Sequence, residues 1–510
     1  MWAVPALVAL ALGAWGIRRG GSLWRDEAVT EAVAHRSLPQ LWALVQEVDA
    51  VHAAYYALVH GWFAVWDGGT VALRLPSVAA TALAAAGVAA IGRRLVSPRA
   101  GLLAGLAYAL LPAVQDYARE GRSYALVAAC VVGSTWCLVR ACAARTRDRE
   151  APGGGLPGGA RWWAGYVALA LAASWLHLFA VLALAAHAVT LRLAAAPRAV
   201  RRAHTACAAA VAAGLAPLAA LAAGQSGAQL GWLSRPGPGE WAAFLGTVTA
   251  AALLAAVRAP AGSTAPGARR GPFAVRHLAL PLLAVPWGAL LAVSVVRPYY
   301  VDRYVLYCVS GLALLAGAAA DRAADRAADR SGPRRRLLRP AHARAALALL
   351  LAAAAAVLVP WHAAVRTPEA RKDDALAVAR AVGEATAPGD AVLFLPARRR
   401  DWLLHDPRRY RTLDDIALRE TPEASGTLRG VEHPAREIRR RMLAEDSIVT
   451  LADPEGQPLD QVPAEAVKRD VLARYFTVCA TAAPHGARVT VWSRDCGRTS
   501  PGARRLSAGR

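Results

Sequence analysis

Trp24-Arg25-Asp26-Glu27 is an ionic cluster set just beyond the first apolar segment, Trp2 to Ile17, and a further acid follows at Asp49. An aspartate or glutamate carried into hydrocarbon costs about 2.5–3.5 kcal/mol. Acids at a membrane surface therefore mark chemistry, ion binding or a salt bridge. Which of these applies depends on what surrounds the cluster.

Hydrophobic residues make up 56% of the 510 positions and the mean hydropathy is +0.30. Apolar windows of about 17–20 residues, the length that crosses a hydrocarbon core, recur along the chain. Spans are expected near 2–17, 72–91, 100–114, 123–142, 162–174, 177–193, 205–223, 241–257, 276–296, 304–320 and 343–360. The expected fold is mainly α, a polytopic membrane protein of about eleven transmembrane helices. Much of the apolar content is alanine, which favours helix but signals burial weakly, so the ends of these windows are soft.

The net charge of +23 does not point to nucleic acid, because of how it is distributed. Arg93, Arg94 and Arg99 follow the second span, and Arg145, Arg147 and Arg149 follow the fourth. Arg198, Arg201 and Arg202 follow the sixth, Arg269 and Arg270 the eighth, and Arg334, Arg335, Arg336 and Arg339 the tenth. Every second loop is basic, the positive-inside pattern, which makes these loops cytoplasmic. The loops at Asp26, Gln115, Gly224 and Arg297, and everything after Trp361, are then expected outside. Arg18 and Arg19 run against the rule at the outer end of the first span. That span lacks a basic n-region and a small-x-small cleavage site and is read as retained.

The expected domains are a transmembrane domain over 1–360, with an outer loop over 17–71, and an extracytoplasmic α/β domain over 361–510. In the tail, Ala375 to Ala385 has amphipathic helical spacing, Pro388-Gly389-Asp390 is a turn, and Ala391 to Leu395 is a buried strand. Ser447 to Leu451 and Arg488 to Trp492 are further strands. The seven cysteines show no CxxC spacing, which argues against zinc. Cys479 and Cys496 alone fall in the outer tail, where a disulfide is permitted. On the cytoplasmic side, Arg147 to Gly159 and Ala259 to Arg270 are linkers, and the Asp-Arg-Ala-Ala repeat of Asp321 to Arg330 is a solvated helical extension.

The first outer loop is not polar filler. Asp26 to Ala34 and Leu38 to Val48 have helical spacing, and two interfacial helices are expected there. Tyr55, Tyr56, Trp62, Phe63 and Trp66 are expected to form an aromatic belt at the headgroups. Two other outer segments carry charge: Gln115-Asp116-Tyr117-Ala118-Arg119-Glu120-Gly121-Arg122-Ser123-Tyr124 and Arg297-Pro298-Tyr299-Tyr300-Val301-Asp302-Arg303-Tyr304. Arg122 and Arg303 sit near helix N-termini, and guanidinium and helix N-terminus both favour phosphate.

Together these segments resemble the membrane glycosyltransferases of the GT-C fold, in particular the family 39-like proteins related to protein mannosyltransferases and aminoarabinose transferases. The pieces that carry the resemblance are Leu23-Trp24-Arg25-Asp26-Glu27-Ala28, then Val48-Asp49-Ala50-Val51-His52 running into Tyr55-Tyr56 and His60. Ala72-Leu73-Arg74-Leu75-Pro76-Ser77 opens the second span, Arg119-Glu120-Gly121-Arg122-Ser123-Tyr124-Ala125-Leu126 is similar to a Glu-x-Arg-x-Tyr-Ala-Leu segment, and Asp302-Arg303-Tyr304 to a late Arg-Tyr motif. Ala53 and Ala54 stand where many relatives carry prolines. The tail is similar to those of actinobacterial members.

The resemblance implies inverting transfer of a sugar, mannose or a similar hexose or pentose, from a polyprenyl-phosphate donor on the outer face. The acceptor would be a protein, polysaccharide or glycolipid. Asp26 is the expected base, with Glu27 and Asp49 supporting it as catalytic carboxylates. Arg122 and Arg303 would stabilise the leaving phosphate, and His52, Tyr55, Tyr56, His60, Arg74, Glu120, Tyr124 and Tyr304 are further substrate-binding candidates. Carboxylates in this number can hold magnesium or manganese, but their spacing does not require a metal. A transporter or flippase of lipid-linked sugar is the main competing class, and a membrane assembly scaffold a third. Transporters place ionisable groups near the midplane in repeated halves, whereas here the charges crowd the span ends.

Overall fold

The computed structural model describes residues 2–148, 159–230, 233–257, 272–330, 349, 352–353, 356–457, 459–460 and 462–496. In chain order the helices of the first two thirds are α1 (Ala3–Ala14), α2 (Arg25–Ala34), α3 (Leu38–Glu47), α4 (Ala53–Val65), α5 (Gly69–Leu95), α6 (Pro98–Leu110), α7 (Pro112–Tyr117) and α8 (Tyr124–Asp148). They continue as α9 (Ala160–Leu176), α10 (Leu182–Leu193), α11 (Arg198–Leu230), α12 (Pro238–Ala256), α13 (Val275–Ser294) and α14 (Val309–Arg330). The chain divides into two compact units: Met1–Trp15, Ala50–Tyr55 and Arg74–Ala363 form one, and Gly16–Asp49, Tyr56–Leu73 and Ala364–Arg510 the other.

The first unit is helical, and the chain is a multi-pass membrane protein. Among the described residues, 6 helices are long and apolar enough to cross a bilayer: Gly69–Leu95, Tyr124–Ala144, Arg198–Gln225, Pro238–Ala256, Val275–Ser294 and Asp302–Arg326. The expected count of eleven is therefore not reached. The windows at 2–17, 100–114, 162–174 and 177–193 do fold as helix, but the longest of them, α9, has 17 residues, roughly 25 Å against a core of about 30 Å. Local chemistry explains the breaks. Leu111, before Pro112, is extended at φ −59° and ψ 129°, because a residue preceding proline avoids the helical region, and this parts α6 from α7. His177, extended at φ −162°, separates α9 from the turn that leads into α10. The expected span at 343–360 lies largely outside the described residues.

Small residues let these helices touch backbone to backbone. A Cβ at Gly317 of α14 would meet the Ala104 nitrogen of α6 at 2.4 Å, and one at Gly311 would meet the Ala279 carbonyl of α13 at 2.3 Å. The Asp-Arg-Ala-Ala repeat is not simply a solvated extension. Asp321 is 5% exposed, accepts the Ser97 hydroxyl at 2.8 Å and pairs with Arg99, which also pairs with Asp325.

In the second unit, α2 and α3 coincide with the two helices expected in the first loop. Ser37 and Gln40 close a capping box at the start of α3. The expected aromatic belt is largely protein core: Tyr55 (first unit) and Tyr56 (second unit) are each fully buried and Phe63 is nearly so, while Trp66 is exposed. The mixed α/β region after Ala364 holds strands β1 (Ala391–Leu395), β2 (Asp414–Asp415), β3 (Leu418–Glu420), β4 (Val431–Glu432), β5 (Ser447–Ala452), β6 (Thr477–Ala482) and β7 (Arg488–Ser493). The main sheet has the order β2-β1-β5-β7-β6, with β1 parallel to β2 and β5, and β7 antiparallel to β5 and β6. Period-two alternation sends Val392 and Phe394 to the face covered by the helix Ala375–Ala385, and Ala391 and Leu393 to the face covered by Ala435–Ala444 and Pro463–Tyr475. Both faces are covered, which is why β1 reads as an unbroken apolar run. Cys479 and Cys496 form a disulfide.

Charge is buried beside this sheet. Lys468, 0% exposed, donates to Glu432 at 2.7 Å, to Glu465 at 3.0 Å and to the Phe394 carbonyl at 3.1 Å, and Arg400 bridges Asp415 and Glu432. Lys468→Met removes the cation bonded to Glu465 and one of the two bonded to Glu432, which keeps Arg400. Thermal unfolding of the purified chain should show a loss of about 3–5 kcal/mol.

Candidate active site

In the first unit the two late arginines come together. Arg122 closes a loop whose backbone is pinned by Ser77 of α5: the Ser77 hydroxyl donates to the Glu120 carbonyl at 2.6 Å, with the Arg122 carbonyl at 3.1 Å. Arg74, one turn earlier on α5, is fully buried, and Glu120 is 1% exposed. The Arg122 guanidinium donates to Nε2 of His52 at 2.7 Å. Since Nε2 accepts, His52 carries its proton on Nδ1 and is neutral. Burial first, then the charges of Arg122, His177 and Arg303, hold its pKa well below the usual value of 6.5.

Arg303 enters from the 3₁₀ helix Asp302–Cys308 that leads into α14. Its Nε donates to the Tyr124 hydroxyl at 3.0 Å, and its guanidinium lies 5.8 Å from the Tyr124 ring and 5.7 Å from that of Tyr304. His177 packs against Tyr304 with ring centroids 4.4 Å apart. Its Nδ1 is buried with no hydrogen-bond partner among the described residues. Tyr117 donates to Asp302 at 2.9 Å, behind the arginine. The result is two buried guanidiniums, two imidazoles and a set of phenols, a cationic, donor-rich surface suited to an anion with several oxygens. The sequence reading reached Arg122, Arg303, His52, Tyr124 and Tyr304, and did not reach His177.

The second unit gathers the acids. Asp26 and Glu27 occupy the first turn of α2, where the helix dipole favours negative charge. Glu27 is wholly buried, whereas the Asp26 side chain is 22% exposed. Asp49 adopts φ +60°, a left-handed conformation that aspartate tolerates, and accepts the Tyr56 hydroxyl at 2.9 Å. His60 donates Nδ1–H to the carbonyl of Ala34, at the other end of α2, about 12 Å along the helix from Asp26. It does not join the acids.

Residues far along the chain complete this cluster. The Arg25 backbone N–H donates to Asp373 at 2.7 Å, Ser22 bonds Asp374, and the Ala375 N–H donates to the Leu23 carbonyl at 3.1 Å. The Arg25 side chain lies 4.0 Å from Asp26 and 3.9 Å from Asp401, and Asp401 accepts both arms of Arg429 at 2.9 and 3.0 Å. Asp401, Asp49 and Asp26 together raise the Arg429 pKa against its burial. Burial and the nearby Arg25 lower the pKa of Arg399 to about 9. The one sequence signal for these partners is the run Arg398-Arg399-Arg400-Asp401 directly after a buried strand. Among the described residues no group of three or more His, Cys, Asp or Glu side chains comes together as a metal site.

No family model and no curated protein matches the chain. Solved structures do. The crystal structure of ArnT from Cupriavidus metallidurans in the apo state matches with a TM-score of 0.54 at 14% identity, over 98% of this chain and 98% of that one. The structure of the same protein bound to undecaprenyl phosphate matches with a TM-score of 0.52 at 13% identity, over 96% and 97%. At that identity the likeness is one of fold, and it extends over nearly the whole chain. It bears out the mainly helical membrane fold with a mixed α/β region that was expected, though not the count of eleven spans.

His52 sets a pH dependence. Its depressed pKa means the unfolded chain takes up the proton first, so its contribution to stability is present above about pH 6.5 and is lost as pH falls towards the folded value. Unfolding midpoints measured between pH 7 and 5 should fall, and His52→Gln should reduce that slope by at most about 1.4 kcal/mol per pH unit.

Proposed function

We propose that the chain transfers a sugar, with inversion, from a polyprenyl-phosphate donor to an acceptor hydroxyl on the outer face of the cytoplasmic membrane. The observation that carries the reading is the buried cluster of Arg122, Arg303, His52, Tyr124 and Tyr304. The fold likeness to a protein crystallised with undecaprenyl phosphate supports the choice of a lipid phosphate as the anion.

Asp26 takes the proton of the acceptor hydroxyl as its oxygen attacks the anomeric carbon. The bond between that carbon and the phosphate oxygen breaks on the opposite face. The phosphodiester becomes a phosphomonoester, so negative charge grows on the departing oxygen and no general acid is needed. Fixed guanidiniums meet that charge without reorganising, which is where they lower the barrier. Glu27 and Asp49 support Asp26, and His52, Tyr55, Tyr56, Arg74, Glu120, Tyr124 and Tyr304 line the substrate positions, whereas His60, bonded to the Ala34 carbonyl, is not among them. Mannose or a related hexose or pentose is the donor sugar, and a family 39-like enzyme of actinobacterial type is the nearest description. Residues 1–360 form the membrane domain, 17–71 its catalytic loop and 361–510 the extracytoplasmic domain.

Two experiments test this. Membranes holding the full chain are given a panel of undecaprenyl-phosphate hexoses and pentoses radiolabelled in the sugar. Asp26→Asn should abolish transfer at unchanged protein abundance, and Arg122→Gln or Arg303→Gln should each lower kcat/KM by about 10²–10³. Transfer retained by Asp26→Asn removes it as base, and no transfer by the wild type from any donor favours a carrier of lipid-linked sugar. For orientation, a cysteine introduced at Glu423, a described residue of the tail, should react with an impermeant thiol reagent in intact cells. Protection there puts the tail in the cytoplasm.

A further inference from the structure

We propose that the first turns of α11 bind an anionic phospholipid, its phosphate held by Arg198, Arg201 and Arg202 and an acyl chain laid along Ala206 and Ala209. The site belongs to the leaflet that the arginine alternation makes cytoplasmic. It is separate from the sugar transfer proposed above and does not rest on it.

Residues 151–239 carry Arg161, Arg192, Arg198, Arg201, Arg202 and Arg235 and not one aspartate or glutamate. Four of these arginines crowd into residues 192–202, across the short connection from α10 to α11. Elsewhere the chain balances such charge itself, as where Arg99 meets Asp321 and Asp325. Arg198, Arg201 and Arg202 are exposed, and among the described residues none is paired with a carboxylate. Their counter-charge comes from outside the chain. With Thr205, Ala206 and Ala209 they fall at i, i+3, i+4, i+7, i+8 and i+11, a single helix face. That face lines a cavity of about 500 Å³, guanidinium and hydroxyl at one end and methyl groups at the other. A phospholipid has the same polarity along its length. The helix is open to it, because 22% of the apolar window in Arg198–Gln225 is buried and the remainder faces lipid.

A hydrogen bond fixes the depth of this face. Nε2 of His204 is bonded to the Tyr166 hydroxyl at 3.0 Å, which sets α11 in register with α9. One turn before Tyr166 is Trp162, with the Arg140 guanidinium 4.5 Å from its ring. Tryptophan and arginine at the end of a span mark the headgroup level. Arg201 and Arg202, a turn or less before His204, stand at that same level. His177, which packs on Tyr304, lies past the other end of α9, about 22 Å along the helix from Trp162. The cavity is therefore at the opposite membrane surface from the cluster of Arg122 and Arg303. Basic pockets on the cytoplasmic side of a membrane domain suit acidic headgroups, and guanidinium forks suit phosphate.

Native mass spectrometry of the purified full chain in detergent, titrated with cardiolipin, counts the lipid bound. Cardiolipin should bind saturably and phosphatidylcholine should not. Arg198→Gln, Arg201→Gln and Arg202→Gln together should weaken cardiolipin binding about a hundredfold. Ala209→Trp keeps all three charges but fills the cavity, and should weaken it about tenfold by displacing the acyl chain. As a control, Arg408→Gln, Arg411→Gln and Arg436→Gln remove the same charge from the tail and should leave binding unchanged. Undiminished binding by the α11 triple variant, an equal loss in the control or equal uptake of phosphatidylcholine overturns the proposal. If the triple variant fails to accumulate, Ala209→Trp decides, and full-strength binding by it is the overturning result. Inorganic phosphate that displaces cardiolipin at equal concentration rules out the lipid as occupant. Binding is read without any sugar transfer, so failure of the transfer reading leaves this result standing.

Discussion

Burying an ionised group costs several kcal/mol unless partners replace the water it loses, and this chain buries many such groups. Arg74, Arg119, Arg400 and Lys468 are fully or almost fully enclosed, as are Glu27, Glu120 and Asp401. Much of the architecture follows from satisfying them. Ser77 pins the loop that carries Arg122. The carboxyl ends of β1 and β5 collect the Arg398 to Asp401 run together with Asp453, Glu465 and Lys468. The start of α2 is held by Asp373 and Asp374.

What the sequence revealed follows from the range of the forces involved. Periodicity is local, so α2, α3, the helix Ala375–Ala385 and strands β1, β5 and β7 were readable within a residue or two. Span lengths were less so, because alanine-rich windows hide the breaks at Leu111 and His177. Ionic partners were largely out of reach. The pairing of Asp321 with Arg99 joins residues 222 apart, and the bond from Arg25 to Asp373 spans 348. No window connects such positions, and a buried arginine reads the same as an exposed one. Arg122 and Arg303 were legible from their place near helix N-termini, and the resemblance added His52, since ordered motifs carry long-range information that composition lacks. It was silent on Arg429 and Asp401, which lie beyond the motifs.

The partners of the two groups of charge differ in kind, and that difference bears on chemistry. Among their contacts, Arg122 donates to the neutral imidazole of His52 and Arg303 to the phenol of Tyr124, bonds that orient each guanidinium. Asp401 is met by Arg429 in a two-armed ion pair, which spends the charge on geometry. An arginine meant to receive growing negative charge has to keep its own, whereas one meant to hold a scaffold should give it up. By this criterion Arg429 serves to fix a position. Arg25, 4.0 Å from Asp26 and 3.9 Å from Asp401, falls between the two.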